Sequence, residues 1–158
     1  MYAFFNHENI FLVIEHDGSE ISKIKFISEE TYWQHQALEL MDRYTNRIKE
    51  ALAEYFAGEN ALLDLKYRLE GSEFDLKVWE ATKQIPYGKT ATYSEIAQRI
   101  GNPNAAQAVG NALSKNPLVI LIPCHRVVGS DGELHGFAGG LEIKQWLLDN
   151  EAKLSGAM

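Results

Sequence analysis

Cys124 is the single cysteine in a chain of 158 residues, and His125 and Arg126 follow it directly. A thiol beside an imidazole and a guanidinium suits nucleophilic chemistry, because cationic neighbours favour the thiolate, the form that attacks. Residues 118–122, Leu-Val-Ile-Leu-Ile, are aliphatic throughout and β-branched at Val119, Ile120 and Ile122. That run predicts a fully buried strand delivering the thiol. Pro123 has no N–H for a ladder and ends it. Adjacent side chains on a strand point to opposite faces. Cys124 and His125 therefore act together only where the chain turns after Pro123 or a water bridges them. The same cysteine also fits a plain role as a small core residue.

The elements that must hold such a thiol come from a chain long enough for one ordinary domain or two small ones. Hydrophobic residues make up 46% of it, enough for a packed core. No apolar run reaches the roughly 18 residues of a membrane span. The start, Met1-Tyr2-Ala3-Phe4-Phe5-Asn6-His7, lacks the basic region and cleavage pattern of a signal peptide. A single cysteine cannot close an internal disulfide, which leads to the expectation of a reducing cytoplasm. The histidines (His7, His16, His35, His125, His135) show no metal-ligand spacing, and no metal or cofactor is expected.

The net charge of −7 argues at first against nucleic acid. The charge is uneven, however. Residues 83–126 carry Lys83, Lys89, Arg99, Lys115 and Arg126 against Glu95 alone, with acidic stretches on both sides. A basic middle bearing helix signals is the local footprint of a DNA surface, and equally of a solvated face without a partner.

Apolar runs at residues 2–5, 10–14 and 21–27 read as strands, with Asp17-Gly18 a hairpin turn. Leu38, Met41, Ile48, Leu52, Tyr55 and Phe56 recur near helical spacing and predict a helix over 36–56, closed by Gly58. Residues 62–69 alternate and predict one more strand. Ser72 caps a helix carrying Phe74, Val78 and Trp79, which Pro86-Tyr87-Gly88 breaks. Thr92-x-x-Glu95 is a capping box opening a helix over 93–100, closed by Gly101. Asn102-Pro103 predicts a second helix over 103–113. Two short helices joined by a glycine turn have the pattern of a helix-turn-helix. The small side chains at Ala105, Ala106, Ala108, Gly110 and Ala112 suit close approach to DNA or tight packing inside the domain. Residues 129–132 form a turn, 137–140 a loop, and 141–150 a last helix with Ile143, Trp146 and Leu147 on its apolar face. Glu151 falls near its end, where the helix dipole disfavours a carboxylate unless a partner holds it.

Ile122-Pro123-Cys124-His125-Arg126-Val127 resembles the acceptor-site signature of the methylated-DNA–protein-cysteine methyltransferases, also called O6-alkylguanine-DNA alkyltransferases. Ile85-Pro86-Tyr87-Gly88, Thr92-Tyr93-Ser94, Gly101-Asn102-Pro103, Ala108-Val109-Gly110, Asn116-Pro117, Gly139-Gly140-Leu141 and Lys144-x-Trp146-Leu147 follow in that family's order. The similarity is dense over residues 72–151. The resemblance implies an α+β protein of two small domains. Residues 1–70 would form a ribonuclease-H-like antiparallel sheet with a helix, and 71–158 a winged helix-turn-helix-like domain carrying the acceptor. It implies a monomer that binds double-stranded DNA in the minor groove and swings an alkylated guanine out of the duplex. Cys124 would take the alkyl group from O6, with O4-alkylthymine a second candidate substrate. His125 would deprotonate the thiol through a water, Glu151 would orient His125, and Asn116 would brace the turn. Tyr93 would hydrogen-bond or protonate the departing base. Val127, Phe137 and Ala138 would line the base pocket, and Tyr93, Ser94, Asn102, Ala105, Gln107, Gly110, Arg126 and Ser130 would meet DNA.

A thioether resists water as a thioester does not, and no second cysteine can receive the group, so transfer would occur once per molecule. Two residues depart from the family pattern. Gln107 stands where an arginine is usual, and Phe137 where a tyrosine is usual. Two other readings stay open: a sensor that binds alkylated bases without transfer, and a cysteine hydrolase built on Cys124 and His125.

Overall fold

The apolar runs that open the chain form strands β1 (Tyr2–His7), β2 (Ile10–His16) and β3 (Ile21–Phe26) in the computed structural model, which describes residues 1–39, 42–59, 61–132, 137 and 139–156. The three strands pair antiparallel in sequence order, with Leu12 opposite Phe5 on one side and Phe26 on the other. Ile10, Leu12, Ile14, Ile21 and Ile24 are fully buried. The described chain separates into two compact units. Met1–Leu69 with Pro117–Val119 forms the first, and Glu70–Asn116 with Ile120–Met158 the second.

In the first unit the helix expected over 36–56 is shorter than expected, and an unexpected helix precedes it. Helix α1 (Glu29–His35) is capped by Ser28, a short 3-10 turn follows over Gln36–Leu38, and α2 (Arg43–Phe56) starts afresh. Asp42 takes up an extended conformation and its side chain accepts from the Thr45 N–H at 2.8 Å. That cap sets where α2 begins, which periodicity alone does not reveal. Tyr32 of α1 packs on Phe4 and Phe11, while Ile48, Ala51, Leu52 and Tyr55 bury one stripe of α2. The strand expected over 62–69 is a 3-10 turn (Ala61–Asp64) and a single parallel bridge from Tyr67 to Ile21.

The buried strand expected over 118–122 does not form. Residues 117–119 add to the β3 edge in the first unit, where the Ile24 N–H donates to the Pro117 carbonyl at 2.8 Å. Ile120 then takes a φ of 71°. That left-handed conformation is rare for a β-branched residue and ends extended pairing. All five residues of the run are nevertheless buried. Hydrophobicity predicted burial correctly, but not backbone direction.

The second unit holds α3 (Glu73–Lys83), β4 (Ala91–Thr92), α4 (Tyr93–Arg99), α5 (Ala106–Ser114), β5 (Val127–Val128) and α6 (Leu141–Leu154). Ser72 caps α3, and Thr92 with Glu95 makes the full capping box on α4. Helix α5 starts three residues later than expected. Asn102 and Pro103 lie in a turn closed by the Ala105 N–H on the Asn102 carbonyl, and Ala105 supplies no side-chain cap. Trp79 of α3 donates its indole N–H to the Ala112 carbonyl of α5 at 2.9 Å, locking those helices together. Helix α6 runs four residues past the expected end and carries Glu151 within its ordered length.

Gly88 is a position in this unit where glycine is required. Its φ is 80°, and a Cβ there would stand 2.4 Å from Ser155 Oγ and 2.7 Å from Ser155 Cβ. Gly88→Ala is expected to destabilise the protein by about 1–3 kcal/mol through backbone strain and that clash. The urea unfolding midpoint checks this, and an unchanged midpoint would contradict it.

Candidate active site

The chain does turn after Pro123. Pro123 adopts φ −78° and ψ 63°, and the Cys124 N–H donates to the Ile122 carbonyl at 2.7 Å, an inverse γ-turn. The Arg126 N–H then reaches the Pro123 carbonyl at 2.9 Å and closes a 3-10 turn over Cys124–Arg126. Two neighbours fix that turn. Asn116 Nδ2 donates to the Ile122 carbonyl at 2.9 Å. Val127 and Val128 pair in parallel with Ala91 and Thr92. Because Thr92 also caps α4, this two-residue ladder ties the first helical residue, Tyr93, to the Cys124 turn. A turn rather than a strand thus breaks the opposite-face alternation that would separate the Cys124 and His125 side chains.

Beneath the turn, His125 and Glu151 are fully buried and Arg126 nearly so. His125 Nε2 lies 2.5 Å from Glu151 Oε2. A carboxylate only accepts, so Nε2 carries the hydrogen, and in the neutral ring Nδ1 keeps its lone pair. Burial holds the His125 imidazole below its ordinary pKa of 6.5, with Glu151 opposing and Arg126 and Lys144 reinforcing the shift. At neutral pH the ring is therefore uncharged. Burial alone would raise the Glu151 carboxyl; His125, by hydrogen bond and charge, and then Arg126, by hydrogen bond and charge, outweigh that and hold it at about 2.

The thiol itself differs from the sequence expectation. Burial pushes Cys124 above its ordinary value, against the Asn116 hydrogen bond, the Lys144 charge and the backbone N–H groups of Cys124 and His125. The resting group is a thiol, not a thiolate, because desolvation wins over the cationic neighbours. Tyr93 is half-buried and its phenol is likewise raised, by burial first and by Cys124 second, so it holds its proton.

Lys144 is the residue that sequence reasoning passed over as part of a motif. It is 1% exposed, with Nζ 5.9 Å from the ring centroids of both Tyr93 and Phe137. Burial lowers its pKa and the Cys124 charge raises it. The signal for it was available: Lys144, Leu147 and Glu151 recur at helical spacing on one stripe of α6. The true buried stripe is rotated from the expected one, leaving Ile143 and Trp146 half-buried.

The residues expected to meet DNA divide into two groups. Ser94, Asn102, Gln107 and Ser130 are exposed, Ala105 and Gly110 half-buried. A Cβ built on Gly110 would lie 3.7 Å from the Tyr93 ring, so α5 passes close to the site. Arg126 does not belong with them. Its Nε and Nη2 donate to Glu151, and its Nη1 to the Ile85 carbonyl at 2.9 Å, all below the surface. Lys115 is also engaged, 3.1 Å from the nearly buried Asp75 carboxylate. The basic middle of the sequence thus offers fewer surface charges than its composition suggests. Of the expected pocket residues, Val127 is buried and Phe137 half-buried, and Ala138 lies outside the described residues. A groove of about 640 Å³ runs along α3 beside Leu76, Lys77, Arg99 and Ile100, and none of the acceptor's neighbours line it.

Residues 73–153 match the family described as 6-O-methylguanine DNA methyltransferase, DNA binding domain. A methylated-DNA–protein-cysteine methyltransferase of Methanosarcina acetivorans is 50% identical over 110 residues, 70% of each chain. One from Mycobacterium leprae is 40% identical over 143 residues, 89% of this chain and 85% of its own. The crystal structure of Mycobacterium tuberculosis OGT in complex with DNA superposes with a TM-score of 0.82 at 35% identity, covering 97% of this chain and 93% of that one.

Lys144→Met removes the ammonium that favours the thiolate. The pH dependence of Cys124 alkylation by iodoacetamide is expected to move to higher pH by about one unit or more. An unmoved profile would place the ammonium outside the sulfur's field.

Proposed function

The chain belongs to the family of methylated-DNA–protein-cysteine methyltransferases, and we propose that Cys124 removes the alkyl group from O6-alkylguanine in double-stranded DNA. The buried thiol, set in a turn above a neutral His125 hydrogen-bonded to Glu151, carries the reading. Residues 1–70 serve as a ribonuclease-H-like scaffold. Residues 71–158 act as a winged helix-turn-helix-like domain, with α4 and α5 entering the minor groove. The protein works as a monomer in the cytoplasm, without metal or cofactor.

The chemistry follows from the protonation states. The damaged guanine leaves the stack and enters beside Val127, Phe137 and Tyr93. His125 Nδ1 takes the thiol proton through a water as the sulfur attacks the alkyl carbon. The S–C bond forms while the C–O6 bond breaks, and the electron pair goes to the purine. Tyr93, still protonated, hydrogen-bonds the departing base or protonates it; with proton transfer a neutral guanine leaves, and the tyrosinate recovers a proton by way of the one His125 took up. The thioether product has no carbon open to hydrolysis, and the protein is spent. Glu151 orients His125, and Asn116 braces the turn.

Incubation with duplex DNA containing O6-methylguanine is expected to add one methyl group per molecule, on Cys124, and then stop. Cys124→Ala should abolish the gain and leave DNA binding intact. Intact-mass measurement decides: binding without a mass change would favour a sensor, and turnover of esters indifferent to DNA would favour a hydrolase.

Gln107 is exposed on α5, where the family usually has an arginine that fills the gap left by the flipped base. A shorter, uncharged side chain supports extrusion less well. Gln107→Arg is expected to speed transfer from duplex DNA and to steepen the dependence of log affinity on log salt by about one. An unchanged salt slope would mean that this position does not approach the phosphates.

A further inference from the structure

We infer that Arg126 is a positioning residue: its guanidinium, clamped on both oxygens of the buried Glu151 carboxylate, supplies the counter-charge that lets His125 remain an uncharged base. The inference rests on the reading of His125 as the group that accepts the thiol proton.

The three charged or chargeable side chains sit where bulk solvent does not reach. The Glu151 side chain is 1% exposed, that of His125 0% and that of Arg126 6%. A carboxylate buried so completely needs one positive partner. With His125 alone beside it, the stable arrangement is imidazolium against carboxylate. An imidazolium has no lone pair, so it cannot take a proton from sulfur. Arg126 changes the balance because a guanidinium is always charged. Its Nε lies 2.7 Å from Oε1 and its Nη2 3.1 Å from Oε2, so the carboxylate already has its compensating charge. A proton added to His125 would give the triad a surplus positive charge in a poorly screened interior.

The rest of the surroundings push the same way or fix the guanidinium in place. Lys144, on α6 with Glu151, is a further cation that disfavours a charged His125. Nη1 is held by the Ile85 carbonyl, and the Tyr87 ring lies 5.5 Å from the guanidinium carbon. The Gly88 N–H stands 3.4 Å from Oε1. Tyr87 is uncharged, its phenol raised by burial and by Glu151. Cys124, one residue before His125, rests as a thiol. Arg126 therefore acts through Glu151 on His125 and touches no reacting atom.

The full-length protein tests this with two substitutions, Arg126→Gln and Arg126→Lys, and two readouts. Long-range proton–nitrogen NMR reports the ring nitrogens of His125 without any transfer reaction. The wild type is expected to show a neutral ring, protonated at Nε2 only, at pH 7. Arg126→Gln is expected to show imidazolium at that pH, and Arg126→Lys a neutral ring. The pH profile of methyl transfer from O6-methylguanine DNA is the second readout. In Arg126→Gln the acid limb should move up by about one unit or more, with the rate recovering on the alkaline side. Arg126→Lys should keep the wild-type limb.

A strut with no electrostatic task would lower the rate by one factor at every pH, and that result would overturn the inference. So would a wild-type His125 that is imidazolium at pH 7. Should Arg126→Gln fail to fold, the wild-type spectrum and the Arg126→Lys profile still decide. A neutral His125 in a protein that transfers no methyl group would sink the proposed function and leave the charge argument standing. Transfer through a charged His125 would do the reverse.

Discussion

One carboxylate, buried among cations, organises the second unit. Glu151 meets His125 at one oxygen and Arg126 at both, with the Gly88 N–H alongside. Breaking such a buried arrangement by removing one partner costs about 3–5 kcal/mol, because the remaining charge is stranded. The features that meet that demand are distant in sequence. Helix α6 must run long enough to carry Glu151 inward. The Pro86-Tyr87-Gly88 turn must approach α6 so closely that only glycine fits. The chain must turn at Pro123 so that His125 and Arg126 both descend while Cys124 stays above. Each serves the same carboxylate, and each fails if the carboxylate is misplaced.

Burial also decides the state of the nucleophile. The positive neighbours suggest an ionised sulfur, yet desolvation outweighs them and the thiol keeps its proton. That result suits a group used once. An exposed thiolate would meet any oxidant or electrophile in solution. In the proposed mechanism a buried thiol with a neutral base nearby ionises only as it reacts, when the electrophilic carbon is already beside it. The Tyr93 phenol, raised by burial first and by Cys124 second, keeps its proton as well; in the proposed reaction that proton is the one offered to the leaving base. Acid and base are set apart by their environments rather than by their ordinary pKa values.

Much of this was legible in the residues. The three opening strands, the Ser72 cap, the Thr92 capping box and the turn at residues 129–132 follow from local chemistry, and the structure carries each of them. Cys124, His125 and Glu151 stood out by type and by motif. What escaped depends on contacts between distant segments. The aliphatic run ending at Ile122 pointed to burial, but nothing in it disclosed the left-handed Ile120 that keeps it from being a strand. Arg126 reads as a surface cation until Glu151, 25 residues on, is placed against it. Lys144 reads as a solvated helix residue until its stripe is seen to face inward with Leu147. Charge in a sequence is a count; charge in a structure depends on what lies opposite.

The most direct test of the account is the ionisation of Cys124 in the DNA-free protein, followed by the ultraviolet absorbance of the thiolate against a Cys124→Ser control. A sulfur that is still protonated at pH 7, and that ionises only above the ordinary thiol range, is the result this account predicts. A thiolate already formed at pH 7 would contradict it, since the imidazole would then have no proton to accept and the buried charge cluster no part in activating the sulfur.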